Sequence, residues 1–360
     1  MNSIQRTRKM AIYAIWNNKG GVGKSYLTFQ LASEYARIHP NKKILAIDLC
    51  PQANASGMLL GGMVDGERTL ENLGNQTPRK TISGYIEDRI GSPYVNPHSG
   101  ATYVVSVSQY NTRVPANLFL IPGDEQLEMQ ASRVLNATAP GPNDAWRIVH
   151  TWISDLIEDV QQRWNQDNTT VFIDCNPSFS IYTELALSAS DRLIIPFSAD
   201  GSSKRAVRTV LALLYGVMRT PGSQQSQYYR NSQTFRIPIP RIYCYVGNRL
   251  TQYIRSAKAF HTVVHEIGDE IWRVWQKNPN VFYIHPTGSG SPAGKSAFNK
   301  MFQYEIVDAN TASVVSSSLG IPIARLPAGL HDVSGRKIMV NQRQLNIQQP
   351  NIQQLVADIE

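Results

Sequence analysis

The chain alternates between short apolar runs and longer stretches in which apolar residues recur every three or four positions. An apolar run of four to eight residues bounded by turn-forming residues is typical of a strand buried on both faces of a sheet. On this pattern we predict strands within 10–17, 42–49, 117–124, 169–178, 191–200, 239–248 and 319–327.

Helical spacing fills the intervals between these runs. Leu27, Leu31, Tyr35 and Ile38 share one face of a helix, which the sequence His-Pro-Asn at 39–41 ends. Further helices are predicted over 146–164, 203–218 and 251–277, and apolar spacing predicts a last helix within 341–360.

Strands that alternate with helices indicate a parallel sheet covered by helices on both faces. The expected fold is therefore α/β, with a doubly wound, mostly parallel sheet. Two segments, 74–116 and 278–318, break the alternation, and we interpret them as insertions or long loops. We expect one domain over 10–360 that carries both insertions, after a short basic tail at 1–9.

Net charge and hydropathy limit the cellular location and the binding partners that we expect for the protein. The 360 residues carry a net charge of +8, which favours polyanions because bound phosphates release counterions. Many soluble proteins are also basic, so charge alone leaves DNA binding open. No apolar run of about 18 residues occurs, and the basic start MNSIQRTRKM lacks the apolar centre of a secretion signal. We therefore expect a cytoplasmic protein without a membrane partner.

The strongest chemical signal is the stretch NNKGGVGKS at 17–25, between the first predicted strand and the first predicted helix. Its three glycines leave backbone N–H groups free to surround an anion. Lys24 adds a charge for the terminal phosphates, Ser25 can ligate Mg²⁺, and the positive end of the helix faces the same point. The strand before and the helix after are the context that such a loop requires, so we predict a nucleotide site.

A second match to the same motif occurs near the end of the chain. The sequence GSPAGKS at 290–296 contains Gly-Lys-Ser, but it lacks the spacing of the motif and no good strand precedes it. We therefore predict no phosphate site there.

The phosphate loop departs from the usual G-x-x-x-x-G-K-S pattern at its first position, which is Asn18, and Lys19 follows. A lysine at this point has a poor route to the nucleotide of its own loop. It could reach a nucleotide held by a second copy of the chain, where it would neutralise charge that develops in phosphoryl transfer.

The loop resembles the deviant Walker A motif of the ParA/MinD ATPases, and Lys19 matches their signature lysine. Other blocks are similar to the ParA branch of that family. They are ILAIDLCPQANAS (44–56, switch I), NLFLIPGDEQLE (117–128), VFIDCNPS (171–178, Walker B), VGNRLTQY (246–253) and IPIARLPAGLHDVSGRK (321–337). The resemblance spans roughly 10–74, 115–260 and 319–359.

The resemblance implies a P-loop NTPase fold and a dimer that holds ATP and Mg²⁺ between two copies. The implied nucleotide contacts are Asn18, Lys19, Gly20, Gly21, Val22, Gly23, Lys24, Ser25, Tyr26 and Asp174. Ser25, Asp48 and Asp174 are the implied Mg²⁺ site, and Lys19 and Asp48 are implied to act in hydrolysis. The pattern agrees, because each aspartate ends an apolar strand at the sheet edge where ligands bind. The alternative for each aspartate is a turn or a helix cap.

Cys50 departs from the family pattern, which has a second switch I aspartate here to orient the attacking water. A thiol is a weak hydrogen-bond acceptor with a pKa near 8.5, so it would position water poorly. Loss of such a group typically costs about 10²-fold or more in rate. We therefore expect slow hydrolysis, unless Gln52, Asn54, another residue or a partner protein supplies the missing group.

The ParA branch binds DNA without sequence preference through basic residues at the edges of the dimer. By position, Arg219 and Arg249 match that role, and Lys204, Arg205 and Arg208 add positive charge nearby. The alternative for each residue is a solvated surface charge.

The leading interpretation is a partition-type ATPase. Its ATP-bound dimer would bind nucleoid DNA and position a plasmid, a chromosome region or another cargo, with a partner protein that stimulates hydrolysis. The rival is a hydrolysis-poor regulatory or filament-forming protein of the same fold, which Cys50 favours. Iron–sulfur reductases and metal carriers built on this loop need a cysteine pair, and Cys50, Cys175 and Cys244 form no Cys-x-x-Cys pair.

Overall fold

The computed structural model describes residues 10–139, 142–165, 168–198, 200–217, 222, 224–250 and 254–360. Its strands are β1 Ala11–Ile15, β2 Lys43–Leu49, β3 Val105–Ser106, β4 Leu118–Ile121, β5 Thr169–Cys175, β6 Arg192–Phe197, β7 Arg241–Leu250, β8 Gln303–Val307, β9 Gly329–Val333 and β10 Arg336–Val340. The first helices are α1 Lys24–Ile38, α2 Asn54–Leu59, α3 Gly62–Gly74, α4 Ile82–Gly91, α5 Gln126–Thr138, α6 Ala145–His150 and α7 Trp152–Trp164. The later ones are α8 Ile181–Ala189, α9 Ser203–Tyr215, α10 Gln227–Phe235, α11 Ile254–Lys277, α12 Lys295–Phe302, α13 Thr311–Leu319 and α14 Gln342–Ala357.

The main sheet has the strand order β3-β4-β2-β5-β1-β6-β7-β8. All its pairs are parallel except β3 with β4. Strands β1 and β5 are buried at every position, as central strands of a sheet covered on both faces must be. The predicted α/β fold with a mostly parallel sheet is confirmed.

Two hydrophobic clusters cover the two faces of the sheet, and β1 contributes to both in alternation. Ile12 and Ala14 pack into the cluster that includes apolar residues of α4, α7, α8, α9, α11 and α12. Tyr13 and Ile15 pack into the cluster that includes apolar residues of α1, α13 and α14. The side-chain period of two in a strand produces this division.

One predicted strand is wrong. Residues 319–327 form the end of α13 and a short 3₁₀ turn, Ile323–Arg325, and no strand. Pro322 and Pro327 lie on either side of this turn, and proline cannot donate a backbone hydrogen bond to a sheet ladder. The helix predicted over 146–164 is also divided, because α6 ends at His150 and α7 begins at Trp152.

The two segments that break the alternation contain regular structure and are not simply long loops. The first forms α4, whose Ile82, Tyr85 and Ile86 are buried, and the edge strand β3. The second supplies α12, α13 and β8, which extends the main sheet at its other edge. Their polar composition conceals short apolar faces, so periodicity was too weak to predict these elements.

The hairpin of β9 and β10 was not predicted. Its strands pair antiparallel and are joined by Ser334 and Gly335, both with positive φ, 52° and 80°. Two-residue hairpin turns favour positive φ because this twist matches that of the strands. The dipeptide Ser-Gly at 334–335 was the available signal. Across the described residues, no helix is both long and apolar enough to span a membrane.

Candidate nucleotide site

The phosphate loop connects β1 to α1 at the carboxyl edge of the sheet. Gly21 and Gly23 have φ of 74° and 77°, a left-handed conformation that glycine adopts without a Cβ penalty. Lys24 is the first residue of α1 and is only 6% exposed. Its Nζ donates to the backbone oxygens of Lys19 at 2.8 Å and Asn17 at 3.4 Å. Burial lowers the pKa of Lys24, and the charge of nearby Asp174 opposes this effect.

The two strand-ending aspartates lie side by side. Strands β2 and β5 are adjacent, and their register places Asp48 directly beside Asp174. Asp174 accepts hydrogen bonds from Ser25 Oγ at 2.7 Å and Thr28 Oγ1 at 3.1 Å. Both carboxyls are fully buried. Burial raises both pKa values above the usual range, and the charge of Asp48 adds to the effect on Asp174.

Asp48 holds the switch I turn in place. Its carboxylate accepts hydrogen bonds from Cys50 N at 3.0 Å, Ser56 N at 3.0 Å and Ser56 Oγ at 2.8 Å. Ser56 Oγ in turn accepts from Gly123 N at 2.8 Å. Sequence reasoning missed Ser56 and Thr28, because neither residue carries a motif of its own.

A cavity of about 520 Å³ lies between the loop and the switch I turn. Its walls are formed by Gly20, Gly21, Gly23, Lys24, Ser25, Tyr26, Cys50, Gln52, Asn54, Gly57, Met58, Gly62, Met63, Glu67, Cys175, Pro177, Ser317 and Ser318. Cys50 is 4% exposed. Burial, together with the charges of Asp48 and Asp174, raises the pKa of this thiol to about 12. The thiol is therefore neutral near pH 7.

Lys19 is bound within its own chain. Its Nζ forms an ion pair with Asp200 and donates to Ser198 Oγ at 3.1 Å and Ser203 Oγ at 3.3 Å. Burial acts to raise the pKa of Asp200, but hydrogen bonds from Lys19, Ser198 and Ser202 outweigh it and hold the pKa well below its usual range. Sequence reasoning did not find Asp200, which lies 181 positions from Lys19 along the chain.

A model of the AAA-domain family matches residues 10–224, more than half of the chain. The match contains the phosphate loop, both aspartates and the switch I turn. The chain belongs to this family and is a P-loop ATPase of the ParA/MinD type.

This ParA/MinD-type ATPase is similar to two curated bacterial proteins over part of its length. It is 26% identical over 189 residues to the sporulation initiation inhibitor protein Soj of Bacillus subtilis, a match that covers 52% of this chain and 58% of Soj. It is 27% identical over 191 residues to the chromosome partitioning protein ParA of Caulobacter vibrioides, covering 53% of this chain and 57% of that protein. The chain therefore spans a little more than half the length of these relatives.

Likeness to the ParA/MinD-type fold extends over nearly the whole chain. A structure of a Cyanothece McdA variant in complex with ATP matches it with a TM-score of 0.56 and 15% identity, covering 98% of both chains. At this identity the likeness shows the fold alone.

The side chains present fit a Mg²⁺ ion that is shared with a nucleotide. Ser25 Oγ and the Asp174 carboxylate, which lie 2.7 Å apart at the phosphate loop, are oxygen donors of the kind that Mg²⁺ prefers. Both carboxylate oxygens of Asp48 accept hydrogen bonds from the switch I turn. Among the described residues, no group of three His, Cys, Asp or Glu side chains is arranged to hold a metal. Mg²⁺ is commonly coordinated by one or two protein oxygens together with phosphate oxygens. Ser25 and Asp174 match this coordination preference.

The structure describes the region of the predicted DNA contacts only in part. Arg219 and the side chain of Arg249 lie outside the described residues. Of the nearby basic residues, Lys204 pairs with Glu266 at 2.8 Å and Arg208 pairs with Glu270 at 2.7 Å. These acidic partners reduce the charge that Lys204 and Arg208 offer to a polyanion.

Proposed function

We propose that the chain is a ParA-like ATPase that forms an ATP-dependent sandwich dimer, binds DNA without sequence preference and positions a plasmid, chromosome region or other cargo. One observation carries the proposal. The glycine-rich loop, the buried Lys24 and Ser25 line one cavity, and Ser25 Oγ donates to Asp174 behind its wall. Such a set of donors and oxygens suits a Mg²⁺-nucleoside triphosphate.

The nucleotide is held chiefly by the loop. Backbone N–H groups of 20–25 face the phosphates, and Lys24 exchanges its contacts with the loop oxygens of Lys19 and Asn17 for the terminal phosphates. Ser25 and Asp174 would hold Mg²⁺, which supplies neutralisation of phosphate charge when bound. Tyr26 lies at the cavity wall and is 4% exposed. Its hydroxyl donates a hydrogen bond to Gln348 Oε1 of α14 at 2.6 Å, which holds that wall in place.

Hydrolysis is slow in this proposal. Cys50 stands at the position of the family's water-orienting aspartate, and its neutral, buried thiol is a weak hydrogen-bond acceptor. Gln52 and Asn54 also line the cavity, and their amides can orient water but cannot take its proton. A partner protein that stimulates hydrolysis would supply the missing function.

The dimer depends on Lys19. In a single chain its ammonium group is neutralised by Asp200. In the sandwich dimer it leaves Asp200 and reaches the triphosphate of the other copy, whose charge density exceeds that of one carboxylate. ATP would therefore join the two copies, and the net charge of +8 would favour DNA, with Arg219 and Arg249 as contacts in a nucleoid-associated, cytoplasmic protein.

A second candidate function is supported by the neutral Cys50 thiol. A protein that binds ATP but hydrolyses it poorly would form long-lived dimers or filaments and act as a regulator. Turnover would then contribute little, and DNA release would not follow hydrolysis.

Light scattering after size exclusion, and binding to random-sequence DNA, test the proposal when both are measured with ADP, ATP and a slowly hydrolysed analogue. We expect a dimer and salt-sensitive DNA binding only with a triphosphate. Replacing Arg219 and Arg249 together by Glu should abolish DNA binding while the dimer persists. Equal mass and equal DNA affinity with ADP and ATP would contradict the proposal.

A further inference from the structure

The carboxyl end of β7 contacts the phosphate loop through one side chain. Asn248 is fully buried. Its Nδ2 donates to the backbone oxygen of Val22 at 3.0 Å and to that of Gly23 at 3.2 Å. Two consecutive carbonyl groups of the loop thus accept from a single amide at least 225 positions away along the chain, and the Gly23 oxygen also accepts from Leu27 N at 2.9 Å.

These two contacts determine where the loop directs its donors. In a planar trans peptide the C=O and the following N–H point in opposite directions. When Asn248 holds the Val22 carbonyl, the N–H of Gly23 is turned away from β7, and holding the Gly23 carbonyl does the same for the N–H of Lys24. Gly23 and Lys24 both line the 520 Å³ cavity. Their amides are the donors that a phosphate would meet there.

The orientation of the Asn248 amide is fixed by its acceptors. Turning the amide over would place Oδ1 against two carbonyl oxygens, which repel it. In the observed orientation Oδ1 is buried and has no partner among the described residues. A buried polar atom without a partner is destabilising. An apolar side chain would avoid that loss, so the two donated bonds are the reason for an asparagine at this position.

The strand itself changes at this point. The pairing of β7 with β8 shifts register between Asn248 and Leu250. Such bulges re-aim a side chain or end a ladder and are frequent beside functional sites. The irregularity therefore coincides with the residue that turns toward the phosphate loop.

We propose that Asn248 is a positioning residue for the nucleotide, which holds the Val22–Gly23 turn so that the N–H groups of Gly23 and Lys24 face the phosphates. The proposal rests on the proposed nucleotide-binding function. The ligand class is a nucleoside di- or triphosphate, because both amides face phosphates common to the two.

The matched control is Asn117, a second asparagine that holds a backbone turn. Its Nδ2 donates to the oxygens of Ala36 at 3.0 Å, His39 at 3.0 Å and Lys42 at 2.9 Å. These residues lie where α1 ends and β2 begins, away from the phosphate loop. Asn248→Asp and Asn117→Asp therefore make the same chemical change at a loop with a nucleotide and at one without.

The first measurement is the affinity for MgADP and MgATP, by titration with fluorescent analogues at a temperature where circular dichroism shows each variant folded. Asn248→Asp places a carboxylate against two carbonyl oxygens, so we expect both affinities to fall at least tenfold. Asn248→Ser is a smaller, neutral change that should lower both affinities several-fold. It replaces Asn248→Asp in the test if that variant does not fold. Asn117→Asp should lower the melting temperature and change the affinities less than twofold.

The second measurement separates positioning from general stability. In ¹⁵N-resolved spectra of the wild type, MgADP should shift the amides of Gly20, Gly21, Gly23 and Lys24. In Asn248→Ser the shifts of Gly23 and Lys24 should shrink while those of Gly20 and Gly21 persist. Wild-type affinities in folded Asn248 variants would overturn the role of Asn248 alone. Absence of nucleotide binding by the wild type would overturn the proposed function as well.

Discussion

The chain contains Gly-Lys-Ser twice, at 23–25 and at 294–296, and the two copies differ in almost every physical respect. In both, the lysine is the first residue of a helix, α1 or α12. Gly23 has φ of 77° and follows the buried central strand β1, whereas Gly294 has an extended backbone with φ of −173° and follows a loop. Lys24 is 6% exposed against the loop oxygens, and Lys295 is 37% exposed and paired with Asp269.

The comparison shows that the tripeptide and the helix after it do not make a phosphate site. The preceding central strand brings the loop to the carboxyl edge of the sheet, where Asp174 and the switch I turn are already placed. Left-handed glycines then curl the backbone N–H groups around one point. Lys295 follows neither a central strand nor a left-handed glycine, so its charge is paired with the carboxylate of Asp269.

The largest expected effect separates the two lysines directly. Lys24→Ala removes a buried cation from the phosphates, and charge-assisted contacts of about 3 kcal/mol correspond to roughly 150-fold in affinity. Lys295→Ala should leave the affinity for ATP within about twofold, since only an exposed pair is lost. Titration with a fluorescent ATP analogue measures both. A comparable loss in the two variants would break the comparison.

The next effect concerns the switch I turn, which the second Gly-Lys-Ser lacks. Cys50→Asp should raise ATP turnover by up to about 10²-fold, because a carboxylate orients water where the neutral thiol does not. Steady-state phosphate release measures it. The control is Cys244→Ala, another buried cysteine, in β7 and not among the residues that line the cavity, with an expected change below about twofold. No gain in Cys50→Asp would show that Gln52, Asn54 or another group already orients the water.

A smaller effect compares two lysine–aspartate pairs. Asp200→Asn frees Lys19, and exposed pairs are worth about 0.2–1 kcal/mol, so ATP-dependent self-association should strengthen by up to about fivefold. Asp269→Asn frees Lys295 and should leave self-association unchanged. Analytical ultracentrifugation over a concentration series distinguishes them.

The pH dependence of the Lys19–Asp200 pair has a definite sign. The pKa of Asp200 is held below its usual range, so the pair contributes above the unfolded pKa of about 3.9 and is lost only as pH falls through the lower folded value. Lowering the pH from 8 to 5 should therefore not reproduce the effect of Asp200→Asn. A matching rise in self-association at pH 5 would contradict this assignment.

A separate effect is on stability. Gly23→Ala forces a Cβ into a left-handed backbone, at about 1–2 kcal/mol, which should appear as a lower melting temperature. Gly294→Ala is expected to change stability by less than about 0.5 kcal/mol, because the backbone is extended and a Cβ would have no atom within 4 Å. Thermal unfolding followed by circular dichroism tests both. Equal losses would show that the two loops have similar backbone demands.

Sequence reasoning predicted the fold well where apolar periodicity was strong. Strands β1, β2, β4, β5, β6 and β7 and helices α1, α9, α11 and α14 lie within one to a few residues of the predicted ranges. It was wrong at 319–327, where two prolines prevent a strand, and it missed the β9–β10 hairpin and the elements of 74–116 and 278–318. Short elements bury few side chains, so their patterns are hard to separate from loops.

The residues of the candidate site also divide into those that a sequence pattern marks and those that it does not. Gly20 to Ser25 and Asp174 could be predicted as candidates because a motif, or the end of an apolar strand, marks each one. Thr28, Asp200 and Asn248 were not, since their positions acquire meaning only when distant segments meet. Ser56 was not either, although Asp48 is only eight positions away, because no motif marks it. Asp48 was predicted to belong to a Mg²⁺ site, which stays a prediction, and its contacts to the switch I turn became visible only in the structure.

By itself the sequence determined the parallel sheet, the loop at its carboxyl edge and the chemical groups available for phosphate. These follow from local rules, namely the spacing of apolar residues and the freedom of glycine. The tertiary structure decided what each polar group contacts: which of two lysines is buried at a cavity, that Asp200 neutralises Lys19, and that Asn248 holds the loop. The physical reason is that Lys19 meets Asp200 and Val22 meets Asn248 across more than a hundred positions of the chain, and no local pattern records such contacts.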